Sequence, residues 1–196
     1  MSRCPGTREA VVINGMRFVP YLDGATIQNR IAELAAELNR EFAGKKPVFV
    51  CVLNGAFMFF ADLIRRMTME CEVDFVQLSS YGDDEVSSGN VRIRKTLSGD
   101  IRGRHVVLVE DIVDSGITLS SLKEYLTALQ PASLTVVTLF HKPARTVVAH
   151  DLPYVGFVIP PRFVIGYGLD FAQRGRNLPD LYIKEQDGDM GGENDP

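Results

Sequence analysis

Residues 106–119 read Val-Val-Leu-Val-Glu-Asp-Ile-Val-Asp-Ser-Gly-Ile-Thr-Leu, and this stretch limits the possible folds more than any other. Its four opening apolar residues, Val106, Val107, Leu108 and Val109, suit a strand covered on both faces, as in a parallel sheet with helices on either side. The run stops at Glu110 and Asp111; a third acid follows at Asp114, then Ser115, Gly116 and Thr118. Apolar residues return at Ile117, Leu119 and Leu122 with helical spacing. Open α/β sheets hold their ligands where a buried strand gives way to such a turn and a helix begins. Backbone N–H groups at a helix start suit a phosphate, while carboxylates suit hydroxyls, a metal or a proton. A ligand with both a phosphate and a sugar diol would use all of these parts.

The rest of the chain alternates strands and helices. Asn14-Gly15 marks a hairpin turn between two short apolar runs. Ile27, Ile31, Leu34, Leu38 and Phe42 recur at spacings of three and four, which predicts an amphipathic helix ending near Gly44. Val48–Leu53 reads as a buried strand, followed by Asn54-Gly55-Ala56 and a helix through Phe57, Phe60, Leu63, Ile64 and Met67. Glu72–Ser80 predicts another strand, and residues 81–90 a polar loop or long hairpin tip with its return strand at Val91–Lys95. After the opening strand and helix come a strand over 133–140, a loop at His141-Lys142-Pro143, apolar pieces over 157–159 and 163–168, and a last strand at Leu181, Tyr182 and Ile183. This order predicts an α/β domain built on a mostly parallel sheet. Residues 1–184 are expected to form one domain, and 185–196 a disordered tail: that segment holds five acids and no Lys or Arg.

Charge and motif content narrow the function. The net charge is −4, and the acidic tail accounts for it, since the remaining chain sums to +1. Neither the near-neutral body nor the acidic tail looks like a generic nucleic-acid binder. No apolar run is long enough to span a bilayer, and the N-terminus has no apolar stretch of the kind a signal peptide needs, so a cytoplasmic location is expected. The three cysteines form no CxxC; Cys51 falls in an apolar run and reads as a core residue, and no structural disulfide is expected. The P-loop, the dinucleotide-binding glycine fingerprint and the nucleophile elbow are all missing. The histidines are scattered, without zinc-ligand spacing.

Val107-Leu108-Val109-Glu110-Asp111-Ile112-Val113-Asp114-Ser115-Gly116-Ile117-Thr118 resembles the phosphoribosyl pyrophosphate (PRPP) motif of the type I phosphoribosyltransferases. Val52-Leu53-Asn54-Gly55-Ala56-Phe57, Ser79-Ser80-Tyr81-Gly82, Lys142-Pro143 and Phe163-Val164-Ile165-Gly166-Tyr167-Gly168-Leu169-Asp170 are similar to segments of its hypoxanthine–guanine branch, in the same order. The resemblance covers about residues 10–184. It implies a twisted, mostly parallel sheet flanked by helices, with a small hood subdomain and a mobile lid loop. It also implies a purine salvage reaction, in which N9 of a 6-oxopurine attacks C1′ of PRPP and pyrophosphate leaves, giving IMP or GMP. The cofactor implied is Mg²⁺, and the assembly a homodimer or homotetramer without nucleic acid or membrane.

The resemblance also assigns roles. Glu110 and Asp111 hold the ribose hydroxyls, directly or through metal-bound water. Asp114 sits near purine N7 as the general acid/base. Ser115, Gly116, Ile117 and Thr118, with Asp114, hold the 5′-phosphate. Leu53, Asn54 and Gly55 face pyrophosphate, with a non-proline cis peptide at Leu53-Asn54, and Arg176 pairs with the same group. Lys142 donates to purine O6, Phe163 stacks on the ring and the Val164 backbone reads its edge. Asp170 lies at the purine site and, with Glu110 and Asp111, is a metal ligand. Ser80 and Tyr81 open the lid. The chain departs from the family pattern at two positions: Ser115 replaces the common Thr and keeps the hydroxyl, and Asn54 replaces a frequent Lys and removes a charge. Other readings are a transferase for another base such as xanthine, an RNA-binding regulator on the same fold, and a sugar-phosphate-binding domain without transferase activity.

Overall fold

The computed structural model describes residues 9–80 and 91–186. The chain divides into two compact units, one formed by residues 28–161 and the other by residues 1–27 with 162–196. Most of the segment expected to form the lid and all but two residues of the expected tail lie outside the described residues.

The larger unit is organised by two strands with long apolar runs. β3 (Val48–Leu53) and β6 (His105–Val113) lie side by side and parallel, with Val48 opposite Val106 and Cys51 opposite Val109. Val50, Cys51, Val106, Val107, Leu108 and Val109 are fully buried, which is why these strands show no alternation of apolar and polar residues. β4 (Glu72–Ser80) extends the sheet beyond β3, and β7 (Ser133–His141) and then β8 (Tyr154–Val158) extend it beyond β6, all parallel. β5 (Val91–Lys95) is the one antiparallel member and pairs with β4. The strand order is β5-β4-β3-β6-β7-β8. The helix α2 (Phe57–Ile64) connects β3 to β4, and α3 (Ile117–Ala128) connects β6 to β7. The two crossovers leave in opposite directions, so the sheet's switch point lies between β3 and β6. Leu119, Leu122 and Leu126 of α3 and Val50, Val106 and Leu108 of the sheet share one core. Burying each such side chain contributes roughly 1.5–3 kcal/mol.

Two expectations need correction. Met67 lies beyond the end of α2, which stops at Ile64. β6 does not stop before the acids: it runs through Glu110 and Asp111 to Val113, because β7 stays alongside and pairs Glu110 with Thr138 and Val113 with His141. A hydrophobic run reports burial, not the length of a hydrogen-bonded ladder.

The other unit carries a four-stranded antiparallel sheet in the order β1-β2-β10-β9. β1 (Val11–Ile13) and β2 (Met16–Leu22) form the expected hairpin, with Asn14 at φ 49° and Gly15 at φ 77° in its turn. β10 (Leu181–Lys184) inserts between β2 and the two-residue β9 (Val164–Ile165). Phe18, Ile165 and Tyr182 form its core. α1 spans Gly24–Glu41, most of it within the larger unit, and buries Ile27, Ile31, Leu34 and Leu38, the stripe read from the sequence.

Candidate active site

Because β3 and β6 are parallel, their C-terminal ends open on the same edge of the sheet. There a cleft of about 300 Å³ is lined by Leu53 and Gly55 after β3 and by Glu110, Asp111, Asp114 and Ser115 at the end of β6. Gly116 and Thr118 complete the lining, so one cleft unites the acid pair with the glycine turn. The Leu53–Asn54 peptide is cis, as the resemblance implies. The Asn54 side chain accepts a hydrogen bond from Gln77 Nε2 at 3.3 Å.

Gly55 is required for space. A Cβ there would lie 1.6 Å from Asp111 Oδ2 and 2.5 Å from its Cγ. The Asp111 carboxylate therefore presses against bare backbone, and its Oδ1 accepts from the Ile112 N–H at 2.8 Å.

Glu110 is 5% exposed. Its carboxyl titrates well above the usual range, first because burial strips water from the charged form and second because the Asp111 carboxylate lies beside it. The same two acids add to burial in pushing the Cys51 thiol up to about 12, which suits the core role read from the sequence. The folded chain keeps the Glu110 proton over a pH range in which the unfolded chain has released it. Stability is lost as pH rises from the ordinary glutamate value toward the folded one, and stays lost above it. Glu110→Gln, measured without added divalent metal, should therefore melt higher than the parent at pH 8, with the difference shrinking as pH falls into the ordinary glutamate range. Calorimetry at both ends of that range checks this; an equal difference at both would exclude the buried charge as the cause.

Asp114 follows the end of β6 and meets two cations. Lys142 Nζ lies 3.3 Å from its Oδ2 and Arg145 Nε 2.7 Å from its Oδ1. The Lys142 contact is a hydrogen bond. The Arg145 contact is a charge pair off hydrogen-bond geometry, and it leaves the occluded Oδ1 without a hydrogen bond. Lys142 is 5% exposed, so it is not a solvated surface lysine. Burial holds its ammonium below the usual lysine range, and Asp114 acts in the opposite sense. Its backbone N–H donates to Val113 O at 3.0 Å, which fixes the end of β7 against the end of β6.

The helix start differs from a side-chain cap. The N-cap of α3 is Gly116 at φ 82°, with no side-chain capping bond. The Ser115 hydroxyl accepts only a long 3.4 Å bond from the Ile117 N–H. A Cβ on Gly116 would lie 2.2 Å from Val148 O, so both conformation and space require glycine at this position.

The remaining candidates, apart from the lid residues Ser80 and Tyr81, lie in the smaller unit. Phe163 is 45% exposed, with its ring set 5.6 Å and edge-on to Phe171, so an aromatic surface stays open. Val164 is buried in β9 opposite Ile183. Asp170 and Arg176 pair with each other at 2.7 Å. The other Asp170 oxygen accepts from Gln173 N, and Arg176 also donates to Gly168 O. Ser80 closes β4; Tyr81 lies outside the described residues.

Among the described residues, no three His, Cys, Asp or Glu side chains converge as a metal cage. Two adjacent carboxylates at an open cleft do fit Mg²⁺. That ion keeps several waters and takes one or two protein carboxylates plus ligand phosphates. No described helix is long and apolar enough to cross a membrane.

Sequence reasoning missed Arg145, Val148 and His150. Arg145 ends a short 3-10 turn, Pro143–Arg145. Val147 N and Val148 N both donate to Ser115 O, at 2.9 and 3.0 Å, and His150 Nε2 lies 2.8 Å from Gly116 O. These are loop residues without periodicity, and they reach the site only because β6 and β7 end together.

Residues 21–172 match the phosphoribosyl transferase domain family. The chain is 46% identical over 155 residues to a hypoxanthine phosphoribosyltransferase of Haemophilus influenzae, covering 78% of this chain and 87% of that one. It is 48% identical over 157 residues to the bifunctional protein TilS/HprT of Listeria innocua, covering 80% of this chain but spanning only 24% of that longer protein. The crystal structure of a hypoxanthine-guanine phosphoribosyltransferase from Bacillus anthracis, with a HEPES molecule in its active site, matches with a TM-score of 0.80. The two are 40% identical, over 84% of this chain and 96% of that one.

Proposed function

This chain belongs to the phosphoribosyl transferase family and has its type I fold, and from that premise we propose that it transfers the ribose 5-phosphate of PRPP to a 6-oxopurine. The products are IMP from hypoxanthine or GMP from guanine, with pyrophosphate. The observation that carries this reading is the single cleft at the sheet's switch point, where Glu110, Asp111 and the Gly116 turn line one wall. A ribose 5-phosphate would meet carboxylates at its hydroxyls and amides at its phosphate.

In this reading Glu110 and Asp111 orient the ribose and place two acids near the positive charge that develops at C1′. Asp114 holds or releases the proton at purine N7. Lys142, anchored by Asp114, donates to O6 and so favours a 6-oxo base over a 6-amino one. Phe163 offers its open face to the ring, and the Val164 backbone meets the purine edge. Leu53, Asn54 and Gly55 face the pyrophosphate. Arg176 binds it too, which requires the Asp170–Arg176 pair to open and frees Asp170 for a cation. Mg²⁺ would neutralise the leaving pyrophosphate, and Glu110, Asp111 and Asp170 are the carboxylates that would hold it.

A spectrophotometric assay with PRPP, Mg²⁺ and hypoxanthine, guanine, xanthine or adenine tests the proposal. Turnover is expected with hypoxanthine and guanine and not with adenine. No nucleotide from any base would overturn the enzyme reading.

A further inference from the structure

We infer that His150 is a positioning residue that aims the amides of the phosphate turn, an inference that rests on the transferase reading above. The residues around Gly116 form trans peptides, and across a trans peptide a carbonyl and the following N–H point to opposite sides. Three donors from one loop hold the carbonyls of this turn. Val147 N and Val148 N take Ser115 O. His150 Nε2 takes Gly116 O at 2.8 Å, in addition to the helical bond from Ser120 N. A carbonyl only accepts, so the His150 tautomer is fixed with hydrogen on Nε2.

With both carbonyls held on the loop side, the Gly116 and Ile117 N–H groups face the other way. The Ile117 N–H points toward the Ser115 hydroxyl, and Ser115 lines the cleft. The loop thus sets two donors toward the proposed phosphate position without touching the ligand. The fit is close: a Cβ on Gly116 would come within 3.1–3.2 Å of the His150 ring as well as striking Val148 O. The backbone bonds to Ser115 are available to any residue type but proline at 147 and 148. The loop's bond to Gly116 O depends on the side chain at 150, while the helical bond from Ser120 N does not.

The test compares IMP with inosine, which lacks the phosphate, by titration calorimetry on the whole chain. His150→Phe keeps a ring and removes the donor; His150→Gln restores an N–H near the same place. We expect the Phe variant to bind IMP about fivefold more weakly, the loss of one hydrogen bond, with inosine affinity unchanged. KM for PRPP should rise by a similar factor, with kcat little changed. The Gln variant should recover most of the loss. Equal weakening for IMP and inosine, or equal loss in Phe and Gln variants, would overturn the inference and leave a packing role only. Failure of the parent chain to bind IMP would instead sink the transferase reading.

Discussion

Asp114→Asn should lower kcat by roughly 10²- to 10⁴-fold, the range for removing a general acid/base, while KM for PRPP changes little. Asn keeps the shape of the side chain but cannot take up a proton at the purine. A second consequence comes from the neighbours. Asp114 is the anion that opposes burial at Lys142 and it also meets Arg145. With Asn in place, nothing at this position offsets burial, and the Lys142 ammonium titrates lower still. The residual activity should therefore fail at lower pH on the alkaline side than that of the parent. Steady-state kcat against pH, with thermal melting to confirm folding, checks both. Unchanged turnover would remove Asp114 from the chemistry. A lower kcat with an unmoved alkaline limb would uncouple it from Lys142.

Gly55→Ala should lower kcat/KM for PRPP by about 100-fold, the penalty for misplacing a catalytic contact by about 1 Å. The new methyl would lie 1.6 Å from Asp111 Oδ2. Asp111 is short and its other oxygen is engaged by Ile112 N, so the carboxylate must swing out of the position in which it meets the cleft. Gly55 has no positive φ, so the backbone itself accepts alanine. Melting should fall by only a few degrees, about what 1 kcal/mol produces in a domain of this size. Near-parental kcat/KM for PRPP would mean that the Asp111 position seen here is not the one used in binding ribose.

The sequence made the elements of the larger sheet legible because each is marked by local periodicity. Val48–Leu53 and residues 106–109 are fully apolar since both faces are covered, and α1 shows its stripe at Ile27, Ile31, Leu34 and Leu38. The acid pair, the glycine turn and Lys142 were legible as departures from those patterns at strand ends. The continuation of β6 through Glu110 was not, because a ladder depends on its neighbour's length. The capping role of Gly116 in place of Asp114 or Ser115 depends on a backbone angle that composition does not encode. Arg145 and His150 were invisible because their partners lie 31 and 34 residues earlier, on another strand's exit. The division into two units showed only through the resemblance, which implies a small hood subdomain; no local pattern marks it, since it rests on pairing between β2 and β10.

That pairing sets an order for synthesis on the ribosome. Residues 28–161 are contiguous and can assemble as soon as they have left the exit tunnel. The β1–β2 hairpin precedes that unit along the chain, yet its neighbour β10, which separates it from β9, follows it. The nascent chain therefore carries an unsealed strand edge on β2 until residues 181–184 have been made. Until β10 is in place, that exposed edge is a natural point for a chaperone to engage.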